Sequence, residues 1–131
     1  MLEILFTLAI VSIAAGAAGR SISGLSRTTA VETARLRTVV TLLHARRRAY
    51  SSEATAEVAV ATGVVALIMR DPDGSTSNVA LPPDTHVTHS VASGRVRFFG
   101  TGLAENATIL LGTLDDAQQS SVVVNQRGLV R

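Results

Sequence analysis

The first twenty residues, MLEILFTLAIVSIAAGAAGR, constrain this chain more than any other stretch. One acid, Glu3, stands directly before sixteen uncharged residues, 4–19. A run of this kind favours a helix in fully apolar surroundings, although it is shorter than the roughly 20 residues that span a bilayer. A carboxylate costs about 3 kcal/mol or more in such surroundings, so we expect Glu3 to have a specific role.

Two ordinary interpretations of this segment are open. A signal peptide needs a basic n-region, and here an acid stands in its place, although AAGAAG could supply a cleavage site. A plain single-pass anchor would obey the positive-inside rule, which keeps the arginines that follow the run in the cytoplasm. That orientation reverses if basic residues precede Met1.

Largely apolar positions continue after residue 19 at the spacing of one helix face. Three, four or seven residues separate Ile22, Leu25, Thr29, Leu36, Val39 and Leu43, and Val40 lies beside them. The pattern predicts one helix from Leu2 to about Tyr50, roughly 70 Å long at 1.5 Å per residue. Gly16, Gly19 and Gly24 each weaken a helix by about 1 kcal/mol relative to Ala, so we expect it to bend or melt there.

The sequence period changes after residue 51. Short alternating or apolar runs separated by turn residues predict six strands, over 55–62, 64–69, 85–91, 95–99, 107–114 and 121–126. The sequence therefore predicts an α+β chain with two parts. Residues 1–50 form the helix, apolar over 1–19 and amphipathic over 20–50, and residues 51–131 form a small antiparallel β domain packed on it.

Composition excludes several function classes. The chain has no cysteine, so disulfides, thiolate metal sites and cysteine nucleophiles are excluded. No nucleophile elbow, phosphate loop or paired carboxylates occur, which predicts no catalytic residues, no cofactor and no enzyme. All twelve basic residues are arginine, and eight of them lie in residues 1–70, beside four acids. The basic character thus belongs to the first half.

Two patterns superficially suggest metal ions. His86 and His89 are three apart on a predicted strand, so their side chains would point to opposite faces and could not hold one ion. The stretch DPDGSTSN, 71–78, has alternating oxygen ligands but lacks the glycine position and the distant glutamate of a calcium loop. We therefore predict no metal site, and a hairpin turn at 71–74.

Two basic segments leave alternatives open. The run Arg46–Arg48 could bind phosphate, from lipid or DNA, or could simply complement the C-terminal end of a helix macrodipole. The terminal NQRGLVR places Arg127 and Arg131 around Gly128 in a chain end that we expect to be exposed after a strand. Alone, these residues favour no particular function.

Taken together, the acid, the apolar helix, its amphipathic continuation and the β domain resemble a type IV pilin-like protein. MLEILFTLAIVSIAAG is similar to the processed N-terminus of that superfamily, and Glu3 matches its glutamate. VRFFGTGLAENATILLGTLDDAQQSSVVVNQRGLVR is similar to the C-terminal pattern of the GspH/FimT minor pseudopilins. Two departures are the lack of a helix proline and Leu129, which replaces the first arginine of the family's tail pattern.

The resemblance implies a non-enzymatic filament subunit of a type II secretion pseudopilus or a type IV pilus. A basic leader, its cleavage glycine and about two mature residues would lie upstream of Met1, and prepilin peptidase would remove the leader and methylate the new N-terminus. The anchor would be single-pass in the bacterial inner membrane, with the β domain in the periplasm. An assembly ATPase and platform protein would then extract the subunit into the filament.

The resemblance also implies roles for individual residues. Glu3 would set subunit registration by pairing with the N-terminal amine of a neighbouring pilin subunit. Side chains of the apolar run would pack in the membrane and the filament core, and these are Ile4, Leu5, Phe6, Leu8, Ile10, Val11 and Ile13. Two alternatives stay open: a DNA-uptake pilin that contacts DNA through Arg127 and Arg131, and a plain single-pass anchor with an unrelated β domain.

Overall fold

A computed structural model describes the backbone of residues 2–60, 66–114 and 119–131. Side chains are described from residue 24 onward within those ranges, together with Leu8 and Ser12. In the described ranges one helix, α1 (Leu2–Ser52), precedes seven strands, which are β1 (Ala56–Val60), β2 (Ala66–Arg70), β3 (Thr76–Ala80), β4 (Thr85–His89), β5 (Arg95–Phe98), β6 (Ala107–Thr113) and β7 (Gln119–Val124). The predicted α+β class, one long helix followed by antiparallel strands, is confirmed.

The strands form two antiparallel sheets. Sheet A has the order β3-β2-β1-β5, and sheet B has the order β4-β6-β7. Because side chains alternate along a strand, each sheet has one apolar face, and the two faces share one core. Its largest fully buried apolar side chains on the strands are Val58, Leu67, Val96, Phe98, Ile109, Leu111, Val122 and Val124.

The second half of α1 covers this core and contacts strands of both sheets. Its buried positions recur at helical spacing and are mostly small, namely Val31, Ala34, Thr38, Thr41, Leu42, Ala45 and Ala49. Alanine at three of these positions lets the helix backbone lie close to the strands. The Thr38 hydroxyl donates to the Ala34 carbonyl at 2.8 Å, so burying this hydroxyl leaves no unmade hydrogen bond.

The buried face of α1 differs from the stripe of large apolar residues in the sequence. Leu25, Leu36, Val40 and Leu43 are exposed, and Val39 is only half-buried. The sequence periodicity correctly indicates a helix, but most of its large side chains face away from the sheets. The reason is steric, because a surface of Ala and Thr fits more closely against two sheets than a row of leucines would.

Strand β3 is absent from the six predicted strands. Its sequence, TSNVA, has no apolar alternation, and it lies at the exposed edge of sheet A. Its register with β2 is set by the turn 71–75, where Gly74 has a φ of 86° and donates to the Asp71 carbonyl at 3.0 Å. The predicted turn at 71–74 is thus confirmed. Hydrogen bonds from the Ser75 hydroxyl and amide hold the pKa of Asp73 below its ordinary value.

The chain end folds back instead of trailing from β7. The Asn125 side-chain oxygen accepts hydrogen bonds from the amides of Arg127 and Leu129, at 3.0 and 2.9 Å. The backbone then returns, and Val123 and Arg131 exchange two amide hydrogen bonds at 2.8 and 2.9 Å. This turn fixes the position of residues 126–131 against sheet B.

Helix α1 ends in a tight backbone turn that touches the β domain. The Ala54 amide donates to the Ala49 carbonyl at 3.2 Å, and Glu53 adopts a left-handed φ of 51°, which together form a Schellman-type end. Gly100 lies directly against this end, because a Cβ at Gly100 would stand 2.6 Å from the Glu53 Cα. Only glycine fits at this point of the β5–β6 loop, where the loop backbone meets the helix end.

We expect Gly100→Ala to lower the free energy of unfolding by about 1–3 kcal/mol, because the added methyl forces the two backbones apart. Gly24→Ala is the matched control. It lies in α1, where the added methyl meets nothing within 4 Å apart from the adjacent backbone of its own helix, and should stabilise the helix by up to about 1 kcal/mol. Denaturant unfolding of the full chain followed by circular dichroism measures both. Equal stability of the two variants would contradict the close approach at Gly100.

Candidate assembly surface

Most residues predicted for assembly lie in the first half of α1. The side chains of Glu3 and of all the predicted core residues except Leu8 lie outside the described residues, as do Gly16 and Gly19 apart from their backbone. Leu8 is exposed. The backbone of α1 is helical through Gly16, Gly19 and Gly24, and bending or melting at these glycines stays a prediction. No helix in the described part of the chain is long and apolar enough to cross a bilayer.

The described half of α1 presents an exposed stripe, the outer helix face, on the side opposite the sheets. It consists of Leu36, Val40, Leu43, Arg47 and Tyr50, at alternating intervals of four and three residues. All five side chains are exposed, Val40 and Tyr50 by 64% and 68%. Because intervals of four and three keep positions on one side of a helix, these residues form a single straight row.

A cavity of about 350 Å³ lies at the C-terminal end of the outer helix face. Its lining combines two guanidinium groups, Arg46 and Arg47, with Tyr50, Leu43 and the backbone of Gly102. Gly102 belongs to the loop between β5 and β6, so the helix and the β domain both contribute to this cavity. Its chemistry suits a ligand that has an apolar part and a negative charge.

The arginine run is divided between two tasks. Arg48 pairs with Asp71 at 3.5 Å, and the Asp71 side chain is only 10% exposed. Within the described ranges no carboxylate lies within ion-pair distance of Arg46 or Arg47. The helix therefore uses one arginine of the run for its own fold and leaves two at the cavity.

The chain end lies beside the same arginines. Gly128 is buried with a φ of 69°, and a Cβ there would stand 2.9 Å from the Gly102 carbonyl oxygen and 3.1 Å from the Arg46 Nε. The structure thus brings the terminal turn and Arg46 together, which sequence spacing did not show. Arg127 and Arg131, the predicted nucleic-acid contacts, are exposed, as is Leu129.

A second charged surface covers the outer face of sheet A. Glu57 on β1 lies 3.4 Å from both Arg95 and Arg97 on β5, and Arg97 also approaches Glu105 at 3.8 Å. These charges neutralise one another, so this surface offers little net attraction for a charged partner.

The two histidines of HVTH lie on the exposed edge of sheet B. His86 and His89 are both half-buried on β4. Among the described side chains, no group of three or more His, Asp or Glu residues converges in a way that could hold a metal ion.

Comparison with protein-family profiles and with curated protein sequences finds no match. Comparison with solved structures does. The minor pseudopilin EpsH of the Vibrio cholerae type 2 secretion system superposes with a TM-score of 0.64 at 12% identity, over 77% of this chain and 94% of that one. The type IV minor pilin FimU of Pseudomonas aeruginosa gives 0.59 at 14% identity, over 77% and 86%. GspH of E. coli gives 0.52 at 14%, over 73% and 82%.

This chain has a type IV pilin-like fold of the GspH type. The superposition covers most of each of these three proteins, so the helix and the β domain belong to one shared architecture. Within that pilin-like fold, the outer helix face and its basic cavity are features of this chain's own residues. Their spacing is visible in the sequence, but which side of the helix is exposed is not.

The division of the arginine run predicts unequal effects of two neighbouring substitutions on stability. Arg48→Ala should lower the free energy of unfolding by about 1 kcal/mol, because it leaves the mostly buried Asp71 carboxylate without its partner. Arg47→Ala should stay within about 0.5 kcal/mol of the parent chain, because Arg47 is exposed and unpaired among the described residues. Denaturant unfolding of both variants decides, and equal losses would contradict the division.

Proposed function

We propose that this chain is a structural subunit of a pilus or a type II secretion pseudopilus. The observation that supports it best is the unequal use of α1. Among the described side chains of the helix, burial against the sheets begins at Val31, whereas Leu8, Ser12 and residues 24–29 are exposed. The described side chains in the first half of this 51-residue helix are thus left exposed by the β domain. A filament in which helices pack together is a use for it.

Three properties of the N-terminal segment complete this proposal. The apolar residues Ile4 to Ile13 pack first in the inner membrane and then among the helices of other pilin or pseudopilin subunits, with the β domain in the periplasm. Glu3 pairs with the N-terminal amine of a neighbour, because a carboxylate in apolar surroundings needs a cationic partner to offset its desolvation. Prepilin peptidase processes the full-length precursor, and the secretion or pilus platform inserts the subunit.

The role of Glu3 has a direct test. In the full-length gene, Glu3→Ala or Glu3→Val should leave membrane insertion intact but reduce recovery in sheared filaments at least tenfold, because the buried cationic partner loses its counterion. Glu32→Ala is the control, since Glu32 is exposed on the same helix and pairs only with Arg35 among the described residues. Fractionation followed by immunoblotting measures the amount of the subunit in the membrane and in the sheared filaments. Normal filament recovery for the Glu3 variants would exclude the registration role.

DNA binding is the second candidate function. It is favoured by the exposure of Arg127 and Arg131 and by the packing of the terminal turn beside Arg46. Leu129 weakens it, because an apolar side chain stands between the two exposed cations.

An electrophoretic shift assay with duplex DNA over a series of salt concentrations tests this candidate. A DNA-binding subunit gives a shift that weakens steeply as salt rises, because cation–phosphate contacts release counterions. Arg131→Ala should abolish it, whereas Arg95→Ala, which removes a cation already paired with Glu57, should not. The absence of any shift at low salt would dismiss the candidate.

A further inference from the structure

We infer that the outer helix face is a docking surface for an acidic, apolar segment of a different subunit. This inference rests on the proposed filament role and names the chemistry of one neighbour. It concerns the described half of α1, which the β domain holds in place, and not the apolar segment before it. The surface comprises Leu36, Val40, Leu43, Arg47 and Tyr50, with the cavity beside Arg46 at its end.

The first argument is the arrangement of the exposed apolar side chains. Over the fifteen residues from Leu36 to Tyr50, about 21 Å of helix, four of the five positions in the row are large and apolar or aromatic. Scattered surface leucines are ordinary, but a contiguous row is typical of interaction sites. The domain's own core lies on the opposite side, so a partner must come from outside the described chain to cover this row.

The second argument is the anchoring chemistry at the end of the row. Tyr50 and Arg47 stand together at a cavity of about 350 Å³, large enough for a side chain of a partner. Tyrosine and arginine are the residue types that most often dominate interface energies, because each offers a large apolar area together with a polar group. The Gly102 backbone closes the cavity on the β-domain side.

The third argument is charge, and it selects the occupant. From Leu36 to Tyr50 the helix has four arginines and no acid. A second copy of this chain would bring two such helices together with no carboxylate on either, which is unfavourable. A partner with Asp or Glu beside its apolar side chains would instead pair with Arg46 and Arg47, which have no carboxylate partner among the described residues. The row of Leu and Val disfavours DNA as the occupant.

A pair of synthetic helical peptides tests this chemistry on the full chain in mild detergent. Both peptides have leucines at alternating intervals of four and three, flanked by glutamates in one and by lysines in the other. We expect the glutamate peptide to bind at least tenfold more tightly in fluorescence anisotropy. Equal binding, tighter binding of the lysine peptide, or no binding would overturn the inference.

Charge reversal guards against a folding artefact. Arg47→Glu should weaken binding of the glutamate peptide at least fivefold and strengthen binding of the lysine peptide. A misfolded variant cannot produce this exchange of preference. Arg70→Glu is the matched control, since it reverses an exposed arginine on sheet A and should leave both affinities unchanged. An unchanged preference in Arg47→Glu would place the peptide elsewhere and overturn the inference.

A cross-linking experiment in the native host identifies the occupant. A photoreactive amino acid replaces Leu43 or, as a control, Leu110 on sheet B, which is exposed to the same extent, 44% and 45%. We expect the Leu43 position to give an adduct with another filament subunit, with Asp or Glu within about one helical turn of the attached residue in the cross-linked peptide. An adduct with a second copy or with DNA, or no excess over Leu110, would overturn the inference.

The two proposals can fail separately. If the parent chain is found in filaments but the Leu43 position gives no specific adduct, the filament role stands and the docking surface is wrong. The other outcome is that the chain is absent from filaments, while the glutamate peptide still binds the parent chain more tightly than it binds Arg47→Glu. The filament role is then wrong, and the preference of this surface for acidic partners remains.

Discussion

The close contact between α1 and the two sheets is the constraint on which the rest of the structure depends. Neither sheet can bury its apolar face alone, and the helix lies where those faces meet. It does so with Ala34, Ala45 and Ala49 pointing inward, and with a buried threonine whose hydroxyl is satisfied by its own helix. Small side chains allow the backbones to approach, which makes the core dense although the chain has few aromatic residues. The Gly100 contact with the helix end has the same origin.

This packing also decides what faces outward. Once Leu42 and the small residues of α1 are buried, Leu36, Val40, Leu43 and Tyr50 are left on the other side. The same orientation of the helix sets where the side chains of the arginine run lie. Arg48 reaches Asp71 in the β2–β3 turn, while Arg46 and Arg47 remain at the cavity beside Gly102. A surface that combines apolar area with cations that lack a carboxylate partner among the described residues is thus a consequence of how the core is filled. It is also the property expected of a subunit that has to meet unlike neighbours.

The fold persists where sequence similarity does not. At 12–14% identity, the pseudopilin EpsH and the minor pilin FimU share this architecture, although no family profile matches the sequence. Two features are sufficient to maintain the fold: apolar side chains at alternate positions on the strands, and a long helix that buries small side chains. Many sequences satisfy both. The particular charges on the helix are not required by the fold. Function within such a fold therefore has to be argued from the exposed residues.

Local patterns in the sequence determined the helix, its length, the class of the fold and most of the strands, because periods of 3.6 and 2 depend only on near neighbours. The resemblance of Glu3 and the apolar run after it to a pilin N-terminus stays a prediction. The edge strand β3, the return of the chain end to β7 and the buried side of α1 were decided only in the tertiary structure. TSNVA has no apolar period and becomes a strand only through pairing with β2. The helix rotation depends on how closely side chains fit two sheets at once, and hydrophobicity alone selects the opposite face.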